Sequence, residues 1–274
     1  MNNIVQRTLS GAVFIFVIIG SILWHPYAFA GVFLIVVIWS LLEFYDIVAL
    51  DRVHAGKWIG VASGVFLFAS SFFYAQALVE AKIFTILIPV MVILFISHIY
   101  HTDRYAFRSA AYTVMGLVYI AFPFALCNGL VFPYHDQQYI PGILIGFFIL
   151  LWTNDTFAYL TGMVLGKHRL FERISPKKSW EGFLGGLFFT IAMSLLIAKL
   201  FPILPFYHWM AISAIIVIFG VYGDLLESLL KRNLGIKDSG HFLPGHGGIL
   251  DRFDAVFLAL PMVCFYLTLF VFGQ

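Results

Sequence analysis

The sequence predicts an all-α protein, a polytopic helical bundle that crosses a membrane about nine times with its N-terminus in the cytoplasm. Hydrophobic residues make up 62% of the 274 residues, charged residues only 11%, and mean hydropathy is +0.96. Apolar runs of about 20 residues, long enough to cross a bilayer as a helix, recur along the chain. Lys and Arg fall almost entirely in alternate loops, a pattern that sets membrane orientation. An ordinary soluble domain is excluded.

Nine apolar runs are predicted as transmembrane helices. They cover 9–24, 28–49, 58–79, 83–99, 110–132, 141–165, 180–203, 207–231 and 253–272. Between the first two lies only His25-Pro26, where we expect a tight turn because proline disfavours a helical residue before it.

The first 30 residues have a second interpretation. They resemble a cleaved signal peptide with a charged start at Arg7 and a small-residue site at Ala28-Phe29-Ala30. That alternative stays open at this point, and it leaves the topology of the following helices unchanged.

The cations predict which loops face the cytoplasm. If the N-terminus is inside and the helices alternate, every Lys and Arg except Lys82 and Lys199 lies on the cytoplasmic side. The loops 166–180 and 232–252 would then both face the cytoplasm from the cell (inner) membrane. Cys127 and Cys264 lie in apolar runs, so we expect small buried side chains and not a disulfide framework.

Charge also divides the chain into two regions. More than half of the charged residues lie in 152–181 and 224–254. We therefore predict that 1–140 forms scaffold helices with possible dimer contacts, and that 141–274 is the catalytic region. Within the scaffold, Glu43 and Asp46 are expected at the membrane interface or between helices, and His98 and His101 as solvated loop histidines.

The helix predicted at 207–231 carries one polar face. Asp224, Glu227, Ser228 and Lys231 follow the spacing i, i+3, i+4 and i+7. Asp224 lies roughly 10 Å before the helix end, where an ionised group needs a partner or water. We interpret it as a metal or phosphate ligand. An internal pair with Lys231, or a local Glu227–Lys231 pair, is the alternative.

The loop after this helix combines glycines with charges. Gly247 and Gly248 permit positive φ angles and the close approach of backbone N–H groups to an anion. Asp251 and Asp254 follow on one helical face, and carboxylates suit Mg²⁺. We expect Asp224 and Asp251 to hold this ion, although a flexible turn is the simpler alternative. The other candidates in and around this loop are Arg232, Lys237, Asp238, His246 and Arg252.

A second polar cluster precedes it. Asn154 and Asp155 lie inside the helix predicted at 141–165, and Lys177 and Lys178 follow a turn at Pro176. Ser179 is expected to cap the next helix, whose N-terminus would offer N–H donors to an anion. Contact between this basic loop and anionic lipid headgroups is the alternative.

These residues resemble a known family. The run Ser228-x-Leu230-Lys231-Arg232-x₄-Lys237-Asp238-x₅-Pro244-x-His246-Gly247-Gly248-x₂-Asp251-Arg252-x-Asp254 is similar to the signature of phosphatidate cytidylyltransferases. Asn154-Asp155 and the segment 175–182 are similar too. The resemblance implies a membrane enzyme, a homodimer, that uses CTP, phosphatidate and Mg²⁺ and binds no nucleic acid. It also implies a two-metal centre at Asp224 and Asp251, with K⁺ as the candidate second ion.

The expected reaction is attack of a phosphatidate oxygen on the α-phosphorus of CTP. The catalytic candidates are Asp224, Asp251, Lys231 and Ser228. The substrate-binding candidates are Asn154, Asp155, Lys177, Lys178, Ser179, Arg232, Lys237, Asp238, His246, Gly247, Gly248, Arg252 and Asp254. A lipid-binding or transport protein with a polar cavity facing the cytoplasm is the alternative from another class. A CDP-alcohol phosphotransferase is a rival enzyme, but its Asp-Gly-x₂-Ala-Arg motif does not occur in the sequence.

Overall fold

A computed structural model describes residues 3–51, 53, 55–100, 104–240 and 247–272, without the side chains of 3–9. Helices dominate this part of the chain. They are α1 (Asn3–Trp24), α2 (Pro26–Val48), α3 (Lys57–Ala75), α4 (Leu87–Ile99), α5 (Ala106–Gly116), α6 (Phe122–Val131), α7 (Gly142–Leu165), α8 (Trp180–Leu200), α9 (Phe206–Asn233) and α10 (Leu250–Leu267). Short 3₁₀ segments, Ala49–Asp51 and Ala81–Ile86, follow α2 and precede α4. A π-helical turn, Leu117–Ala121, joins α5 to α6, and another, Thr268–Phe272, extends α10.

Length and composition make eight of the described helical segments able to cross a membrane. They are Pro26–Asp51, Lys57–Ala75, Ala81–Ile99, Ala106–Val131, Gly142–Leu165, Trp180–Leu200, Phe206–Asn233 and Leu250–Phe272. In α1, Ser10–Trp24 adds a shorter apolar helix. Together they correspond to the nine predicted runs, so the prediction of an all-α polytopic membrane protein is confirmed. The orientation of the helices in the membrane stays a prediction.

The expected turn between the first two helices is present. Helix α1 ends at Trp24, and Pro26 is the first residue of α2. Proline suits this position because the first turn of a helix does not use its N–H donors. The His25 ring accepts a hydrogen bond at Nδ1 from the Tyr27 N–H, at 3.3 Å, and so caps α2.

The contacts between residues divide the chain into two units. The first unit consists of Met1–Tyr139 and Leu234–Phe253, and the second of Ile140–Asn233 and Asp254–Gln274. Buried phenylalanines form the centre of the first unit. Phe33 packs on Phe29 with ring centroids 4.6 Å apart, and Phe124 packs on Phe253 at 5.1 Å.

Helices α7, α8 and α9 pack together in the second unit. Glycines let α7 and α8 approach closely, as small residues do in membrane proteins. A Cβ atom at Gly182 would lie 2.7 Å from the Ala158 carbonyl oxygen, and one at Gly186 would lie 2.6 Å from Asn154 Oδ1. The α7–α8 connection was predicted as a loop. It contains an antiparallel pair of short strands, β1 (Arg169–Phe171) and β2 (Ser175–Ser179), in which Arg169 pairs with Ser179.

Candidate active site

An ion pair between β2 and α9 is the centre of the site in the second unit. Lys178 Nζ lies 2.5 Å from Asp224 Oδ2 and 3.5 Å from the Val221 carbonyl oxygen. The Ser228 hydroxyl donates to Asp224 Oδ1 at 3.2 Å. The Asp224 side chain is still 36% exposed. Asp224 therefore pairs with Lys178, a partner that the sequence did not predict.

Lys231 forms an ion pair with a different carboxylate. Its Nζ lies 3.1 Å from Oε1 of Glu227, one helical turn earlier, and the Glu227 side chain is completely buried. The local Glu227–Lys231 pair given as an alternative is thus present. Removing either partner would leave a buried charge uncompensated, which is costly. Whether Lys231 also contacts substrate stays a prediction.

Three carboxylates of the second unit interact with one another. Asp155 on α7 and Asp254 on α10 each repel Asp224, and Lys178 partly offsets this repulsion. The buried Asn154 hydrogen-bonds the Asp155 side chain. A Cβ atom at Gly223 would overlap the Asp254 carbonyl oxygen, so this glycine lets α10 lie directly against α9. A bound cation would relieve the repulsion among these carboxylates.

Asp155, Asp224 and Asp254 are candidate ligands for a cation. Among the residues that the structure describes, no group of three or more His, Cys, Asp or Glu side chains is placed to enclose a metal by itself. Mg²⁺ usually takes one or two protein carboxylates, with phosphate oxygens and water as its other ligands. The exposed Asp155 and the half-buried Asp224 and Asp254 supply such oxygens.

The strand pair and the start of α8 form the basic edge of the second unit. Ser179 is buried, and its hydroxyl oxygen accepts the Gly182 N–H at 3.1 Å, which confirms the expected N-cap. Glu181 accepts the Lys167 N–H at 3.1 Å and lies 2.6 Å from His168 Nδ1. An open recess of about 770 Å³ has a lining that includes Lys167, His168, Arg169, Glu172, Trp180 and Glu181. Lys177 is exposed on β2.

In the first unit, Asp251 organises the glycine-containing loop. Its Oδ2 accepts the Ser239 N–H at 3.1 Å and the Gly248 N–H at 3.0 Å. Gly247 has φ = +81°, as the sequence predicted, and a Cβ atom there would lie 2.6 Å from Asp251 Oδ2. Glycine at 247 is therefore required by both backbone conformation and space. Lys237 and Asp238 are exposed on the same loop, and His246 lies outside the described residues.

Glu43 joins this loop from α2. Its carboxylate accepts the Ser239 hydroxyl, the Ile249 N–H at 2.9 Å and the Leu250 N–H at 3.4 Å. Glu43 was expected at the membrane interface or between helices, and it does contact the start of α10. Its partners lie about 200 residues away in sequence, so no local motif identified it.

Two further predictions have structural outcomes, and a third falls outside the described residues. Asp46 pairs with Lys57 at 2.5 Å, on the surface of the first unit. The expectation of a solvated His98 is wrong, because α4 continues to Ile99 and buries the ring, with Nδ1 2.8 Å from the Leu94 carbonyl oxygen. His101 lies outside the described residues.

The two units thus bring together different members of the predicted site. The second unit contains Asn154, Asp155, Lys177, Lys178, Ser179, Asp224, Ser228, Lys231, Arg232 and Asp254, and the first contains Lys237, Asp238, Gly247, Gly248, Asp251 and Arg252. The Asp224–Asp251 metal pair combines one residue from each unit, and it stays a prediction.

Comparison with known proteins identifies the family. The sequence model of the cytidylyltransferase family matches residues 5–270, which span both units. The chain belongs to this family. It is therefore an enzyme, a nucleotidyltransferase built from apolar helices.

Curated relatives agree with this assignment. The chain is 35% identical to the phosphatidate cytidylyltransferase of Staphylococcus aureus (strain COL) over 213 residues, 77% of this chain and 71% of the relative. The Staphylococcus epidermidis protein of that name (strain ATCC 12228) is also 35% identical, over 76% of this chain and 71% of its own. That of Staphylococcus saprophyticus is 38% identical over 163 residues, 59% of this chain and 60% of the relative.

Proposed function

We propose that this enzyme transfers the cytidylyl group of CTP to phosphatidate and yields CDP-diacylglycerol and pyrophosphate. The similar bacterial proteins are named for this activity. The observation that carries the proposal is the cluster of Asp155, Asp224 and Asp254 on apolar helices, with Lys178 on the adjoining strand β2, inside a chain of the cytidylyltransferase family. Anionic substrates need cations there, and the carboxylates supply ligands for one.

The reaction itself asks mainly for alignment and charge neutralisation. A phosphatidate phosphate oxygen forms a bond to the α-phosphorus of CTP. The bond from that phosphorus to the oxygen bridging to the β-phosphorus breaks, and pyrophosphate leaves with the electron pair. The nucleophile is already an anion, so the step requires no strong base. Five exposed or half-buried cations are proposed to bind phosphate oxygens: Lys177, Lys178, Arg232, Lys237 and Arg252.

Mg²⁺ is the proposed cofactor, held by Asp224 and Asp251, with K⁺ as the candidate second ion. When bound, such a metal neutralises phosphate charge in the transition state. The hydrogen bonds around each aspartate orient it: Ser228 and Lys178 hold Asp224, and two backbone N–H groups hold Asp251. A carboxylate offers about four acceptor positions, so these contacts are compatible with metal ligation.

The same proposal includes the membrane orientation of the site and the assembly of the enzyme. CTP is made in the cytoplasm and phosphatidate lies in the bilayer, so the site is proposed to face the cytoplasm from the inner membrane. Membrane lipids would then surround the apolar helices. A homodimer is proposed as the working assembly.

A direct assay tests the activity. Purified protein in mixed micelles should convert labelled CTP and phosphatidate to CDP-diacylglycerol when Mg²⁺ is present. Chelation with EDTA should stop the reaction, and added Mg²⁺ should restore it. Binding of phosphatidate without any CTP-dependent lipid product would contradict the proposal and favour the lipid-binding or transport alternative.

The metal ligands have their own test. Asp224→Asn and Asp251→Asn should each lower kcat by at least about a hundredfold, because each removes a charged ligand that stabilises the transition state. Asp46→Asn makes the same chemical change at the Lys57 ion pair and should keep wild-type turnover. Near-normal turnover in either of the first two variants, with unchanged thermal unfolding, would remove that residue from the metal site.

A further inference from the structure

Glu43, in the N-terminal half of the chain, contacts the loop that precedes Asp251 and the start of α10. It lies on α2, and its carboxylate receives one hydroxyl and two backbone N–H groups from residues 239–250. All of these contacts lie within the first unit. Glu43 itself lies outside the sequence signature, which begins at Ser228.

The contacts meet at the two ends of one segment, where residues 239 and 248 come together. Asp251 Oδ2 joins these ends because it accepts both the Ser239 and the Gly248 N–H groups, at 3.1 and 3.0 Å. Glu43 also binds these two ends, through the Ser239 hydroxyl and the Ile249 N–H. We call this arrangement the loop neck.

The absence of side chains at two glycines leaves room for the Glu43 carboxylate at the loop neck. A Cβ atom at Gly240 would lie 2.9 Å from Glu43 Cδ, and a Cβ atom at Gly248 would overlap Glu43 Oε1. A larger residue at either position would therefore collide with the Glu43 side chain. Glu43 also lies at the first N–H groups of α10, where a negative charge is stabilised by the helix dipole.

We propose that Glu43 is a positioning residue for catalysis: it fixes the loop neck and thereby the orientation of the Asp251 carboxylate. Ser239 is the shared link, because its hydroxyl donates to Glu43 and its N–H donates to Asp251. The catalytic consequence rests on the proposed function, in which Asp251 binds Mg²⁺. The structural part, that Glu43 closes the neck, does not rest on it.

The test compares Glu43→Gln with Asp46→Asn in the purified full-length protein. Glutamine keeps the shape but turns one acceptor oxygen into a donor that faces N–H groups. Hydrogen–deuterium exchange in a peptide covering 234–253 should become faster in Glu43→Gln, and kcat should fall about tenfold, which is the loss expected from one charge-assisted hydrogen bond. The Mg²⁺ concentration for half-maximal activity should rise severalfold. Asp46 lies on the same helix and pairs with Lys57, so its variant should match wild type in all three measurements.

Each outcome decides one part of the inference. Unchanged exchange in 234–253 shows that Glu43 does not hold the neck, and faster exchange with normal kcat and Mg²⁺ dependence shows that the neck does not position Asp251; either overturns the proposal. If Glu43→Gln does not fold, Ser239→Ala removes one donor only and must show the same changes in milder form. If the wild-type protein makes no product, the proposed function fails, and exchange alone still decides whether Glu43 closes the neck.

Discussion

Lys178 is a cation that lies beside the carboxylates of the second unit. Its ammonium group lies against Asp224 and offsets repulsion that involves Asp155 and Asp254. Successive residues of a strand point to opposite sides, and its neighbour Lys177 is exposed where Lys178 is half-buried. Variants of the two lysines can therefore distinguish a charge held in a specific ion pair from one that only adds to a basic surface.

Replacing Lys178 tests this difference. Lys178→Met should lower kcat about a hundredfold, the size of effect seen when one group that stabilises a transition state is removed. Lys177→Met should cost less than about tenfold, since exposed charges interact weakly through water. Steady-state kinetics with CTP as the varied substrate measures both. Equal losses would mean that β2 acts only as a basic surface for headgroups.

Two local features of the polar stretch were predicted from the sequence. The polar face of 207–231 and the glycine at 247 follow from spacing and from backbone conformation, and both are present. Lys178 as the partner of Asp224 was not predicted, because helical spacing pointed to Lys231 in the same helix. Glu43 was missed for the same reason, since pairing across long sequence separation leaves no local pattern.

Close packing of α7 on α8 sets the position of the strand pair and of Asn154 and Asp155. The helices approach backbone to backbone: a Cβ atom at Gly182 would lie 2.7 Å from a carbonyl oxygen, and a backbone atom cannot rotate away as a side chain does. Gly129 on α6 is a suitable contrast, because a Cβ atom there has no neighbour within 4 Å.

Gly182→Ala should therefore destabilise the protein by about 1–3 kcal/mol, the usual cost of overpacking. Gly129→Ala should not destabilise the protein, because the added methyl meets open space and alanine favours a helix over glycine. Thermal unfolding in one detergent, followed by tryptophan fluorescence, compares them. An unfolding temperature in Gly182→Ala equal to that of wild type would show that α7 and α8 separate without cost.

The helices were predicted from the sequence more fully than the contacts between side chains. Apolar runs of bilayer length leave helices as the solution that satisfies every backbone group, so the helix positions agree closely with the predicted runs. The strand pair at 169–179 was not predicted, because three- and five-residue strands with mixed charges carry too little periodicity. The π-helical turn at Leu117–Ala121 likewise has no pattern of its own in the sequence.

At the scale of the whole molecule, membrane orientation is the property that decides whether the site can meet CTP. It is predicted from charge: only Lys82 and Lys199 of the 16 Lys and Arg residues fall on the outer side. Positive charge is retained in the cytoplasm during insertion, so the loop of the strand pair should be inside, and the segment that contains Lys82 should be outside.

Single cysteines test this orientation in a background where Cys127 and Cys264 are replaced by alanine. Glu80 and Glu172 are exposed in loops predicted on opposite sides of the membrane. With a membrane-impermeant maleimide, Glu80→Cys should react in cells whose outer envelope is permeabilised while the inner membrane stays intact. Glu172→Cys should react only after the inner membrane is broken. Activity of both variants checks that the insertion is native. Reaction of Glu172→Cys from outside would reverse the topology and separate the proposed site from cytoplasmic CTP, and the charge argument for the cytoplasmic site would fail with it.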